Sequence, residues 1–336
     1  MLDRVCLEDN MGLSKNQLFT LASTSSTSAL LALFLNALGT HLSVATTAES
    51  VATRSVAQVN IFQAIILGMV QGLTEFLPIS STAHLKVVPV VLGWGDPGVA
   101  FTAVIQLGSI AAVLWYFWRD LTNITVGGIE AIVRKDYNSQ DFQMGLGILL
   151  GTIPIVFFGL LIKILIPDFD NSPLRSLGAI ALASIVMSLL LGVAERLGTL
   201  KRDFDTLGVR DGVLMGLAQA MALIPGVSRS GSTLTAGLFM GLERATAARF
   251  SFLLGIPAIT LAGLVELKDV LKQGLGDAGL IPVAVGIISA AIFSYIAIAW
   301  LLRFLQTQST LVFILYRLAF GIAILGAIGA GVLQNS

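Results

Sequence analysis

Residues 71–85, QGLTEFLPISSTAHL, and residues 225–237, PGVSRSGSTLTAG, decide how the rest of the chain is read. Both are rich in Ser, Thr, Gly and Pro and both carry charge, yet each is embedded in sequence apolar enough to lie in lipid. A bilayer core offers no water to backbone N–H and C=O groups. Irregular polar backbone at that depth persists only when it is buried in protein or lines a wet cavity. The two stretches are therefore the candidate functional segments.

Composition agrees. Of 336 residues 55% are hydrophobic and only 12% charged, and the mean hydropathy is +0.88. Such a chain cannot hide its apolar surface in one soluble core and keep a polar exterior. The expected fold is an all-α integral membrane protein. The net charge is zero, with no basic stripe, so nothing points to a nucleic-acid partner. The single Cys6 excludes an internal disulfide and a cysteine-based metal site. His41 and His84 are the only histidines.

Residues 1–55 differ from the rest and are set apart as an N-terminal extension to a membrane domain at 56–336. A basic start, a short apolar run at 29–38 and the small residues Ser43, Val44 and Ala45 match a secretory signal. A weakly hydrophobic extra helix or a loose leader fits the same residues, as does a start at Met11. His41 reads as structurally neutral. From Val59 onward six further segments, near 99–118, 143–166, 175–195, 246–267, 280–302 and 311–333, are long enough to span hydrocarbon.

Three of these follow each polar stretch. If half-repeats at about 59–197 and 208–334 share a fold, an odd number of spans makes the second enter from the opposite side, as an inverted-topology repeat. Gly68-Met-Val-Gln71 echoes Gly216-Leu-Ala-Gln219, and Leu149-Leu-Gly-Thr-Ile-Pro154 echoes Leu253-Leu-Gly-Ile-Pro257. The loops 119–142, 195–211, 243–249 and position 303 carry ten Lys or Arg, against Arg175, Lys268 and Lys272 in the loops opposite. The positive-inside rule makes the first side cytoplasmic. Both polar stretches then become re-entrant helical hairpins, one from each face, whose tips meet near the midplane. Helix ends aimed at such a meeting place suit an anion.

The residue types at the tips specify the chemistry. Gln71 and Glu75 stand four apart on one helical face and can reach a single ion or group. Glu75 at membrane depth costs about 2.5–3.5 kcal/mol unless paired or coordinating, and a hard divalent cation bridging carboxylate and phosphate is one solution; a structural pairing is the other. Ser80, Ser81 and Thr82 supply hydroxyls. His84 follows Ser81 by three, a spacing that brings imidazole near hydroxyl, as base to nucleophile, or lets the imidazole attack phosphorus itself. In the second tip Arg229 offers a planar fork of donors matched to phosphate. Ser228, Ser230, Ser232 and Thr233 add hydroxyls, while Gly226 and Gly231 permit close backbone approach. Arg317 reads as an internal charge partner, with Glu75 the candidate. The combination favours phosphoryl chemistry on an amphipathic substrate with a phosphate head and a lipid tail.

At these residues the chain resembles the bacterial undecaprenyl pyrophosphate phosphatases, also called bacitracin-resistance proteins. The resemblance covers about Val59 to the C-terminus. It rests on Glu-or-Gln, three residues, then Glu, followed by LPxSSTxHL, here 71–85, and on PGxSRSG, here 225–231; residues 249–254 and the Tyr316-Arg317 pair also fit. It implies a multi-pass inner-membrane hydrolase that converts undecaprenyl diphosphate to the monophosphate, recycling the lipid carrier for peptidoglycan. It further implies Mg2+ or Ca2+ as cofactor and a site opening to the periplasmic face; a homodimer is the candidate assembly. Family roles make Gln71 and Glu75 the metal or substrate pair. Ser81 with His84 supply nucleophilic or acid–base function, and Arg229, with Ser228 and Thr233, grips the diphosphate. Serine, histidine or an activated water could each attack.

Two positions depart from the pattern. Gln71 stands where Glu is often found, removing one acid, and Ala83 replaces a more usual Gly between Thr82 and His84. The competing class is an inverted-repeat transporter or flippase of a polyprenyl phosphate lipid; it gives Ser81 and His84 no catalytic reason. The phosphatidic-acid-phosphatase type needs a second catalytic histidine, which the core lacks.

Overall fold

The computed structural model describes residues 59–335 apart from 96, 167, 168, 170, 171 and 274–278. The reading of residues 1–55, including Cys6 and His41, lies outside the described residues. Within them the protein is all helical, with one isolated backbone bridge between Arg202 and Leu242.

The first half begins with α1 (Ile61–Phe76) and α2 (Ser81–Val91), then α3 (Val99–Tyr116), α4 (Trp118–Arg134), α5 (Gln140–Leu165) and α6 (Leu177–Leu197). The second comprises α7 (Val209–Ala220), α8 (Arg229–Phe239), α9 (Arg244–Gln273), α10 (Leu280–Thr307) and α11 (Leu311–Gly329). Helices α5, α6, α9, α10 and α11 are each long and apolar enough to cross a bilayer. The segment expected as a span at 99–118 is α3, which bends by 63° at Phe117 into α4, so this pair makes a sixth span only as a broken one. Outward-facing Leu149, Leu160, Ile164 and Ile322 are more than half exposed, as side chains in contact with lipid must be.

Each polar stretch breaks a helix for a local reason. A capping box starts α1, with Gln63 N donating to Asn60 Oδ1 and Asn60 N to Gln63 Oε1, both at 2.9 Å. It ends because Leu77 precedes Pro78 and is extended, as a residue before proline prefers. The chain re-enters helix after Ser80, at φ +75°. Likewise α7 ends in a short 3-10 turn, Met221–Leu223, before Pro225 and Gly226, and α8 begins after Ser228 at φ +71°. Two non-glycine residues in the left-handed region, at matching places in two breaks, are an uncommon pair.

The halves correspond in packing as well. Exchange α1 with α7, α2 with α8, α3 with α9, α5 with α10 and α6 with α11. Then α1 lies along α10 as α7 lies along α5, α3 touches α10 as α9 touches α5, and α3–α9 and α6–α11 pair across the exchange. Helix α4 has no counterpart. The GxxQ echo follows the same correspondence, since Gly68 and Gln71 precede Ser80 at the spacing at which Gly216 and Gln219 precede Ser228. A Cβ at Gly68 would strike the backbone of Gly286 on α10, and one at Gly216 that of Gly151 on α5. Such small-residue contacts let helices approach closely in lipid. The second echo falls on α5 and α9, which are not exchanged in this correspondence.

Ion pairs pin the loops rich in Arg and Lys. Arg202 donates to both carboxylate oxygens of Asp211 at 2.8 Å, which raises the pKa of its guanidinium further. Arg244 meets Glu195 at 2.6 Å, and Arg249 pairs with Asp120.

Candidate active site

The two breaks touch. Glu75, at the end of α1, and Arg229, first residue of α8, form an ion pair at 3.6 Å with each side chain only 10% exposed. Ser230 Oγ donates to Leu77 O across the junction at 3.0 Å. Arg317 of α11, 1% exposed, donates from Nη1 to Pro78 O (3.0 Å) and from Nη2 to Gly226 O (2.8 Å) and Val227 O (3.0 Å). One guanidinium thus clasps the carbonyls that both breaks leave without helical partners. Arg317 is therefore not the partner expected for Glu75, a place that Arg229 takes. The sequence signal was present in the Tyr316-Arg317 pair, but its partners are main-chain oxygens, which carry no residue signature. An Arg317→Met variant keeps the stem and strands those carbonyls. It should lose at least about 2 kcal/mol, read as a fall of several degrees in thermal unfolding of the purified protein. An unchanged midpoint would mean that the clasp adds no net stability.

Around Glu75 the donors converge on one oxygen. Gln71 Nε2 donates to Oε2 at 3.2 Å, and Ser81 Oγ donates to the same oxygen at 2.8 Å. Ser81 is therefore bonded to a carboxylate rather than to His84. The His84 ring is held elsewhere: Nδ1 lies 2.7 Å from Ser80 O and Nε2 lies 2.6 Å from the Tyr316 hydroxyl. A carbonyl only accepts, so Nδ1 carries a proton, and in the neutral ring Nε2 accepts from Tyr316. The ring is stacked on Tyr316 and Phe320 and is buried. It fixes the carbonyl of Ser80, the residue at positive φ, and thereby the direction in which α2 departs.

Arg229 is the complementary case. Its Nε, Nη1 and Nη2 are buried without a hydrogen-bond partner among the described residues. Buried donors left open in this way cost free energy unless a ligand takes them. The guanidinium lies on Gly255 of α9: a Cβ there would stand 2.7 Å from Arg229 Cζ and closer still to Nη1. Sequence reasoning missed this seat. Its only trace was a glycine inside an apolar span.

The hydroxyls divide. Ser228 Oγ caps α8 by accepting from Gly231 N and sits 3.2 Å from Ser230 Oγ beside the junction. Thr233 is turned into the protein, donating to Arg229 O at 2.8 Å and bonding Ser251 of α9; Ser232 also donates to Arg229 O. The bond to Ser251 ties the helix that carries Arg229 to α9, while the two to Arg229 O stay within its first turn. Ser80 is buried, and Thr82 is exposed on α2. The break before α2 has no side-chain cap, which leaves N–H groups at that helix start open.

Among the described residues no group of three His, Cys, Asp or Glu side chains converges. A divalent cation at the junction would have one protein carboxylate, Glu75, beside the Gln71 amide and Ser81 hydroxyl oxygens. It would take its remaining oxygens from a phosphate. That donor set fits Mg2+, which is commonly held by one or two carboxylates plus substrate phosphates.

Comparison with known proteins gives a consistent result. The family model described as "Bacitracin resistance protein BacA" matches residues 64–323. A protein of Trichormus variabilis named undecaprenyl-diphosphatase is 70% identical over 326 residues, covering 97% of this chain and all of that one. One of the same name from Nostoc sp. is 68% identical with the same coverage. A third, from Gloeobacter violaceus, is 56% identical over 278 residues, or 83% of this chain and 95% of that protein.

Proposed function

Because the chain belongs to the bacitracin resistance protein BacA family, we propose that it is an undecaprenyl-diphosphatase acting at the Glu75–Arg229 junction. It hydrolyses undecaprenyl diphosphate to undecaprenyl phosphate and inorganic phosphate. This returns the lipid carrier to peptidoglycan synthesis, and bacitracin resistance follows from it. The reading includes the bacterial inner membrane as location, the face opposite the Arg- and Lys-rich loops as the periplasmic one, and halves that enter from opposite sides. The charge bias of the loops supports the orientation, and the matched breaks support the repeat.

The observation that carries the mechanism is the 2.8 Å hydrogen bond from Ser81 Oγ to Glu75 Oε2. A carboxylate that already accepts the hydroxyl proton is placed as general base, and the oxygen it activates is the nucleophile. The open donors of Arg229 bind the diphosphate oxygens and stabilise the charge that grows on them. Ser228 and Ser230 line the same side. Ser81 Oγ attacks the terminal phosphorus, its proton passes to Glu75, and undecaprenyl phosphate leaves with the bridging electron pair. Water then attacks the phosphoserine, and Glu75 returns the proton to Ser81. Glu75 and Gln71 would hold Mg2+ or Ca2+ against the diphosphate, where the cation supplies charge neutralisation. His84 acts by position, through Ser80.

The test is acid quenching of purified protein with substrate labelled in the terminal phosphate, followed by peptide mapping. Label on Ser81 in the wild type and none in Ser81→Ala supports the mechanism. Full turnover by Ser81→Ala would move the nucleophile to water. No phosphate release by well-folded wild-type protein would transfer the function to lipid transport.

A further inference from the structure

A concavity lies away from the Glu75–Arg229 junction. It is a cleft of about 430 Å³ where the end of α3 and start of α4 meet the start of α9 and the end of α10. Its polar lining comes from Tyr116, Asp120, Thr246, Arg249, Arg303 and Gln306, between apolar walls that include Phe117 and Leu302. Phe117, which lines this cleft, packs on Phe252, and Phe252 packs on Phe76, the residue next to Glu75; all three rings are buried. Their centroids are 6.2 Å and 5.3 Å apart. The cleft is therefore a separate site.

Its charge is unbalanced. Arg249 is committed to Asp120 and lies 4.0 Å over the Phe204 ring, so that pair is neutral and fixed. Arg303 has no carboxylate within ion-pair distance among the described residues. The cleft thus holds one uncompensated guanidinium with hydroxyl and amide donors around it. That set fits the several oxygens of a phosphate better than a single-point anion.

Its depth points to the membrane interface. Helix α4 leaves α3 at 63° and presents Trp118, Val126, Ile129 and Val133 outward, each more than half exposed, on one stripe. Its other side, with Leu121 and Ile124, packs on the core. An amphipathic helix of this kind, opening on tryptophan, suits the headgroup layer. The cleft opens at that helix's first turn.

We propose that this cleft is a second anion site that takes a phosphate group at headgroup depth, with Arg303 as its principal cation. A lipid phosphomonoester and free phosphate share that chemistry. Titration calorimetry on the full chain separates them, using dodecyl phosphate in one arm and inorganic phosphate in the other. An Arg229→Ala background removes the contribution of the first site, and comparison with Arg229→Ala/Arg303→Ala cancels micelle partitioning. Arg303 is exposed, so its loss leaves the fold intact. Binding that persists in Arg229→Ala, weakens about 10-fold or more when Arg303 is also removed, and partly returns with Arg303→Lys is the expected result. Binding of dodecyl phosphate alone identifies a lipid, whereas equal binding of both identifies free phosphate. No binding of either probe in the Arg229→Ala protein, or equal binding with and without Arg303, would overturn the proposal. None of these readouts uses hydrolysis, so they stand or fall apart from the phosphatase reading.

Discussion

A Glu75→Gln variant should turn over undecaprenyl diphosphate about 10²–10⁴-fold more slowly than wild type, the range that general-base catalysis supplies, while binding the substrate at least as tightly. The substitution keeps the volume and leaves an oxygen to accept from Ser81, so the packing at the junction survives. It removes the basicity that would take the serine proton. It also removes the negative charge 3.6 Å from Arg229, which frees the guanidinium for phosphate and takes away a repulsion between carboxylate and diphosphate. The prediction is therefore a split: kcat falls and KM does not rise. Steady-state kinetics at several cation concentrations would test it. Activity recovered by excess Mg2+ or Ca2+ would instead assign Glu75 to holding the cation, and a raised KM with unchanged kcat would assign it to substrate binding alone.

Gly255→Ala should be nearly as damaging as removing Arg229, although residue 255 bears no functional group. The added methyl would occupy the space of the guanidinium, and the three atoms nearest to it all belong to the flexible end of Arg229. The backbone has no reason to move, and alanine in place of glycine inside α9 favours the helix by about 1 kcal/mol. Thermal stability should therefore hold or rise while kcat/KM falls about 10²–10³-fold, the worth of one or two charge-assisted phosphate contacts. The double variant Gly255→Ala/Arg229→Ala should be no worse than Arg229→Ala, since both remove one interaction. Additive losses would show that Gly255 matters for some other reason. A drop in stability would show that α9 itself had shifted.

Much of this site was legible from residue order. Pro78 and the Pro225-Gly226 pair mark where helices must stop, because proline cannot donate to the helix and restricts the residue before it. Glu75 and Arg229 were suspects because ionised groups at membrane depth are expensive unless they meet a partner or ligand. Here the two are each other's partner. The span count was nearly right: α3 was seen, while the 63° turn into α4 was not, because an amphipathic helix and a loop with mixed charge read alike at the end of an apolar run.

Partners were less legible. The three-residue spacing from Ser81 to His84 suggested a hydroxyl–imidazole pair, but the imidazole nitrogens bond Ser80 O and Tyr316, the latter 232 positions away. Thr233 looked like a ligand donor and instead faces Ser251.

By itself the sequence determined the membrane, the helices and their two interruptions, and the set of side chains gathered at each. These follow from hydropathy, proline and glycine chemistry, and the cost of charge in lipid, all of which act locally. Only the tertiary structure decided which of those side chains share hydrogen bonds. A break whose last residue adopts positive φ sends the next helix off at an angle no periodicity encodes. Glu75 and Ser81 meet around that corner, and Arg317 and Gly255 reach the site from helices remote in the chain.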